Sequence, residues 1–162
     1  MQTPIYKSAE EEKLMVELWS PSIANDPEAF VLFAFPWGQK NTPLAKFTGP
    51  RTWQRELLRD IKKYIEGNQG KIDYDTIRMA VSSGRGIGKS ALVSWLILWM
   101  LTTRIGGSVV VSANSESQLR SVTWAELTKW QAMIINSHWW EISATKLVPA
   151  QWLTELVERD LK

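Results

Sequence analysis

The sequence contains no cysteine and a single histidine, His138. The first absence removes disulfides, thiol nucleophiles and cysteine-ligated zinc or iron–sulfur centres, and it fits a reducing compartment. The second removes multi-histidine metal sites and leaves no redundancy for a serine–histidine–aspartate triad. Charge of one sign is also missing. With 19 Lys+Arg against 17 Asp+Glu the formal net charge is +2, so no chain-wide basic field points to nucleic acid and any such contact must be local. Long apolar runs are absent too: Ala91–Leu101 is interrupted by Ser94 and reaches about half of the ~20 residues that cross a bilayer, so it reads as a buried helix. Met1–Tyr6 has no basic segment leading into an apolar one, which argues against a secretory signal.

What is present is a chain of 162 residues, the size of one ordinary domain, with 10 tryptophans. Tryptophan at that frequency supplies large apolar area to a core or an interface. Ser8 followed by Glu10, Glu11 and Glu12, then Leu14, Met15, Leu18 and Trp19, predicts a capped helix that Pro21 stops. Asp26-Pro27 predicts the start of a second, running to about Pro36. Residues 38–50, with Gly38, Pro43, Gly49 and Pro50, read as a loop or linker. Trp53, Leu57, Leu58, Ile61 and Ile65 place one apolar face on a helix from about Arg51 until Gly67-Asn68. Residues 1–50 are thus expected to form a helical arm and linker, and 51–162 the beginning of a nucleotide-binding domain.

That second expectation rests on the middle of the chain. Thr76–Val81 is strand-like, Ser82–Gly88 is a glycine-rich turn, Lys89–Thr103 is a strongly apolar helix, and Ser108–Ser112 is β-branched. A further helix, capped by Asn114 or Ser115, carries Leu119, Val122, Leu127, Trp130 and Ile134, and another follows Pro149. Strand, helix, strand and helix in alternation predict an α/β fold: a partial parallel sheet of the P-loop NTPase type, lacking its later strands, with helices before it.

The turn itself, Ser83-Gly84-Arg85-Gly86-Ile87-Gly88-Lys89-Ser90, matches the phosphate-binding loop pattern in its last three positions, with Ser83 in the place of the first glycine. Gly84, Gly86 and Gly88 permit a turn whose backbone N–H groups, Ile87's included, wrap an anion at a helix N-terminus. Lys89 suits β- and γ-phosphates, and the Ser90 hydroxyl suits Mg²⁺. Arg85 can stabilise charge developing on a γ-phosphoryl group, or can be a surface arginine with an acidic neighbour. Gln54 can pair with the N6 and N7 edge of adenine, or can be solvated surface.

The order Pro50–Leu57, Ser82–Ser90, and Val109–Asn114 with Ser117-Gln118 resembles the large terminase subunit of tailed bacteriophages, as does Asp26–Phe30 with Pro36-Trp37-Gly38. The resemblance covers roughly Asp26 to Trp140. It implies an ATPase that drives double-stranded DNA into a procapsid in the host cytoplasm, working as a homo-oligomeric ring with a portal protein and a small terminase subunit, and with no membrane partner. It implies ATP and Mg²⁺ as cofactors, Lys89 and Arg85 as catalytic groups, Gln54 as an adenine contact, and Ser83–Ser90 as the phosphate cradle, with Ser90 on the metal.

The chain departs from that pattern in one respect. No apolar strand-like run leads into any of the acids after Ser90, which are Glu116, Glu126, Glu141, Glu155, Glu158 and Asp160. The carboxylates that hold Mg²⁺ and polarise water are therefore not recognisable, and little or no ATP turnover is expected from what reads as an excised or truncated portion. The alternatives are another P-loop translocase or helicase-like ATPase, or a non-catalytic remnant that keeps only fold or partner binding. His138 reads as a helix-end residue with no evident carboxylate partner, and Trp139-Trp140 as core or subunit contact.

Overall fold

A computed structural model describes residues 8–73 and 75–160; the reading of Met1–Tyr6 lies outside them. The chain order is α1 (Ala9–Trp19), α2 (Pro21–Ala24), α3 (Pro27–Ala34), α4 (Thr52–Asn68), α5 (Lys89–Thr103), α6 (Glu116–Gln118), a π-helical stretch Leu119–Trp124, α7 (Ala125–Met133), a 3₁₀ turn Ser137–Trp139, strands β1 (Trp140–Ile142) and β2 (Leu147–Pro149), and α8 (Gln151–Asp160).

The expected parallel α/β sheet is not formed. The described residues are mostly helical, and their one sheet is the antiparallel pair β1–β2, with Trp140 opposite Pro149 and Ile142 opposite Leu147. The physical reason is the difference between a local and a long-range property. The runs 76–81 and 108–112, read as strands from their β-branched composition, have no regular secondary structure and find no partner strand, and among the described residues no backbone hydrogen bond joins them to another segment. A strand becomes a sheet only when its N–H and C=O groups are paired. Here Val109 is 37% and Val110 93% exposed. The glycine-rich turn therefore joins an unpaired irregular segment to a helix, not a sheet strand to a helix.

The helical starts follow their local chemistry. The Ser8 hydroxyl accepts the Glu11 N–H at 3.1 Å, Asp26 Oδ1 accepts the Ala29 N–H at 3.1 Å with Pro27 at the first helical position, and the Ser115 hydroxyl accepts the Gln118 N–H at 3.1 Å. Pro21, expected only to end α1, also opens the short α2.

Helix α5 is the centre of the packing. Leu92, Trp95, Ile97, Leu98 and Trp99 are buried on it, and the shared core reaches Leu18 of α1, Phe30 and Val31 of α3, Leu58 of α4 and Leu127 of α7. The tryptophans are both filler and cross-brace: eight of the ten indole N–H groups donate to a carbonyl or carboxylate, among them Trp19 to Thr102 O at 2.9 Å and Trp99 to Ala24 O at 3.1 Å. The indole nitrogens of Trp95 and Trp140 are buried without a partner.

Candidate functional site

The start of α4 and the start of α5 are held together by the turn between 83 and 90. At α4, Arg51 occupies the N-cap position and its backbone N–H is accepted by Gln54 Oε1 at 2.8 Å, one arm of a capping box. The same side chain turns its other end to the turn, where Gln54 Nε2 donates to Gly88 O at 2.8 Å. Two neighbours act in parallel: the Trp53 indole N–H donates to Ile87 O at 3.1 Å and Arg51 Nη1 to Gly86 O at 3.2 Å. Three consecutive carbonyls of the turn are thereby fixed toward α4. In a trans peptide the N–H points opposite to its own C=O, so the N–H groups of Ile87, Gly88 and Lys89 face away from α4.

Gly86 and Gly88 have φ of +76° and +94°, the left-handed region that glycine alone enters without strain. Gly88 O also accepts the Leu92 N–H at 3.1 Å, the first regular bond of α5, which leaves the N–H groups of Lys89, Ser90 and Ala91 without helical acceptors. The Lys89 ammonium folds back onto Ser83 O at 2.8 Å and closes the turn.

The turn borders a cavity of about 900 Å³. Of the expected site residues, Gln54 and 85–90 line it; Ser83 and Gly84 do not, Ser83 contributing its carbonyl to Lys89 instead. The charged side chains on its wall are Arg51, Arg85, Lys89 and Lys129 against Glu126, four cations to one anion. Arg85 is exposed and makes no ion pair among the described residues. The opposite wall comes from α6 to α7, where Gln118, Val122 and Glu126 recur at intervals of four. Trp130 donates to Glu126 Oε1 at 2.8 Å, and Lys129 Nζ lies 3.6 Å from the same oxygen. The floor is aromatic: Trp95 meets Trp130 edge-on at 5.1 Å and 87°, and Trp37 at 5.9 Å and 77°. A third wall is the connection before α4, with Pro43, Leu44 and an exposed Phe47.

Glu126, Lys129 and the wall from 43 to 47 were not foreseen as site residues. The recurrence of Gln118, Val122 and Glu126 was readable as one helix face, but which cavity that face borders depends on how α7 packs on α5.

Sequence reasoning also found no carboxylate for His138. The structure supplies Glu11 of α1, whose Oε2 lies 2.7 Å from His138 Nε2. Comparisons with protein-family models, with curated proteins and with solved structures return no match to this chain.

Proposed function

We propose that the chain binds a magnesium nucleoside triphosphate, ATP by the sequence reading, as the nucleotide-holding part of a terminase-type DNA-packaging motor. The reading requires no parallel sheet. The observation that carries it is the clasp of α4 on three successive carbonyls, which turns the following N–H groups outward beside a cavity with a fourfold excess of cationic over anionic side chains. Outward N–H groups, the unpaired first turn of α5 and an excess of cationic side chains are the features that stabilise a polyphosphate.

Ser90 is the side chain suited to Mg²⁺, and its hydroxyl has no partner among the described residues. No group of three acidic or histidine side chains that could cage a metal occurs there either, so the ion would be held chiefly through phosphate oxygens and water. Bound Mg²⁺ neutralises charge on the β- and γ-oxygens. Lys89 and Arg85 are the cations available to the terminal phosphates, and turnover by this chain alone is expected to be negligible. In the setting implied by the resemblance, the partners are double-stranded DNA, a portal protein, a small terminase subunit and further copies in a ring, in the host cytoplasm. Among the described residues no helix is long and apolar enough to cross a membrane.

Calorimetric titration with Mg·ATP tests the reading. Saturable binding that Lys89→Ala weakens by roughly tenfold or more is the expected result. A chain that neither takes up heat nor gains thermal stability with Mg·ATP overturns it.

A further inference from the structure

The geometry points to a site that selects the polyphosphate and not the base: we propose that it accepts nucleoside triphosphates with little discrimination between adenine and guanine, and that Gln54 is a positioning residue for the phosphate turn. This rests on the nucleotide-binding reading above.

Gln54 is 3% exposed, and both ends of its amide are engaged inside the protein, the oxygen by Arg51 N–H and the nitrogen by Gly88 O, each at 2.8 Å. One bond caps α4 and the other fixes the turn. The amide keeps a second N–H and a second lone pair, but at 3% exposure turning them to a base edge means moving a side chain that holds the shape of the anion cradle.

The wall that adjoins Gln54 offers no replacement reader. Pro43, Leu44, Phe47 and Pro50 carry no hydrogen-bonding side chain, and the Trp37 indole N–H is committed to Val31 O at 2.9 Å. What this wall does offer is Phe47, 56% exposed and among the residues lining the cavity, an aromatic ring of the kind on which any base stacks. Stacking is sequence-tolerant because every base has a π-face, whereas selection among bases needs donors and acceptors placed against their edges.

The test is competition binding on the unmodified chain with Mg·ATP, Mg·GTP and inorganic tripolyphosphate, repeated on Gln54→Met and Phe47→Ala. The expected result is ATP and GTP within about threefold of each other and tripolyphosphate displacing both. Gln54→Met, which loses both hydrogen bonds at similar volume, is expected to weaken all three by a common factor of roughly ten and leave the ATP-to-GTP ratio unchanged. Phe47→Ala is expected to weaken both nucleotides by roughly tenfold and leave tripolyphosphate untouched. A preference for ATP above about tenfold on the unmodified chain overturns the inference alone, and its removal by Gln54→Met with tripolyphosphate affinity unchanged assigns Gln54 to the base. Failure of tripolyphosphate and both nucleotides to bind overturns the underlying reading and this inference together. Because the selectivity ratio is measured first on the unmodified chain, the outcome does not depend on either variant folding.

Discussion

Glu11 and His138 lie 127 positions apart in the chain and meet at 2.7 Å, Oε2 to Nε2. The other carboxylate oxygen, Oε1, accepts the indole N–H of buried Trp139, and the imidazole stacks on Trp152 with ring centroids 6.1 Å apart and 9° between planes. One buried side chain of α1 thus ties together the 3₁₀ turn and, through the stack, α8.

Removing that acceptor leaves a buried indole N–H unsatisfied and the imidazole without its partner. Glu11→Ala is expected to cost about 3 kcal/mol in urea unfolding, and Glu11→Gln less, because the amide oxygen still accepts from Trp139. A Glu11→Ala loss below about 0.5 kcal/mol would show that the carboxylate is not a structural tie.

The glycines of the turn should respond unequally. A Cβ on Gly88 would sit 2.5 Å from Gln54 Nε2, on a backbone already at φ +94°. Gly88→Ala is therefore expected to lose about 1–2 kcal/mol from backbone strain alone and to loosen the clasp as well. At Gly84 φ is not positive and nothing lies within 4 Å, so Gly84→Ala should unfold with the parent. Thermal melts of the two variants side by side decide this, and equal losses would contradict the geometry.

Asp26 serves two elements at once, capping α3 through Oδ1 and meeting Lys62 of α4 at 3.2 Å through Oδ2. That hydrogen bond and the charge of Asp26 raise the Lys62 titration above the ordinary lysine range. A raised folded-state value means that the pair's contribution is complete at neutral pH and is lost only as pH climbs through the lysine titration in strong alkali. Asp26→Asn should keep most of the cap and return the Lys62 titration toward normal, as seen by side-chain NMR. An unmoved titration would place the cause elsewhere.

The unpaired β-branched run past α5 makes the fourth expectation. Val110 is 93% exposed on a segment whose backbone has no partner strand among the described residues, a template for edge-to-edge association. Val110→Lys should change unfolding stability by no more than about 0.5 kcal/mol yet lower concentration-dependent light scattering. Scattering identical to the parent would show that this edge is not the contact.

These particulars also separate what the sequence made legible from what it did not. Ser8 and Asp26-Pro27 announce helix starts because a cap acts within three residues, and each makes the bond it predicts; of Asn114 and Ser115, both offered as the third cap, Ser115 makes the bond. The glycine turn before α5 was readable for the same reason, and so was the amphipathic face of α4. The parallel sheet was inferred from β-branched segments whose pairing no local signal guarantees. The hairpin of β1 and β2, the tie from Glu11 to His138, and the place of Glu126 on the cavity all depend on where distant elements come to rest. Gln54 illustrates the boundary well: its chemistry was evident, but which of its possible acceptors it faces became visible only once α4 and α5 were set side by side.

The clustered rings of Trp37, Trp95 and Trp130 border the cavity that the turn opens onto. Indole emission responds to the polarity and charge around the ring, so the molecule carries its own optical gauge of occupancy. Filling the cavity should shift and partly quench fluorescence without any attached dye.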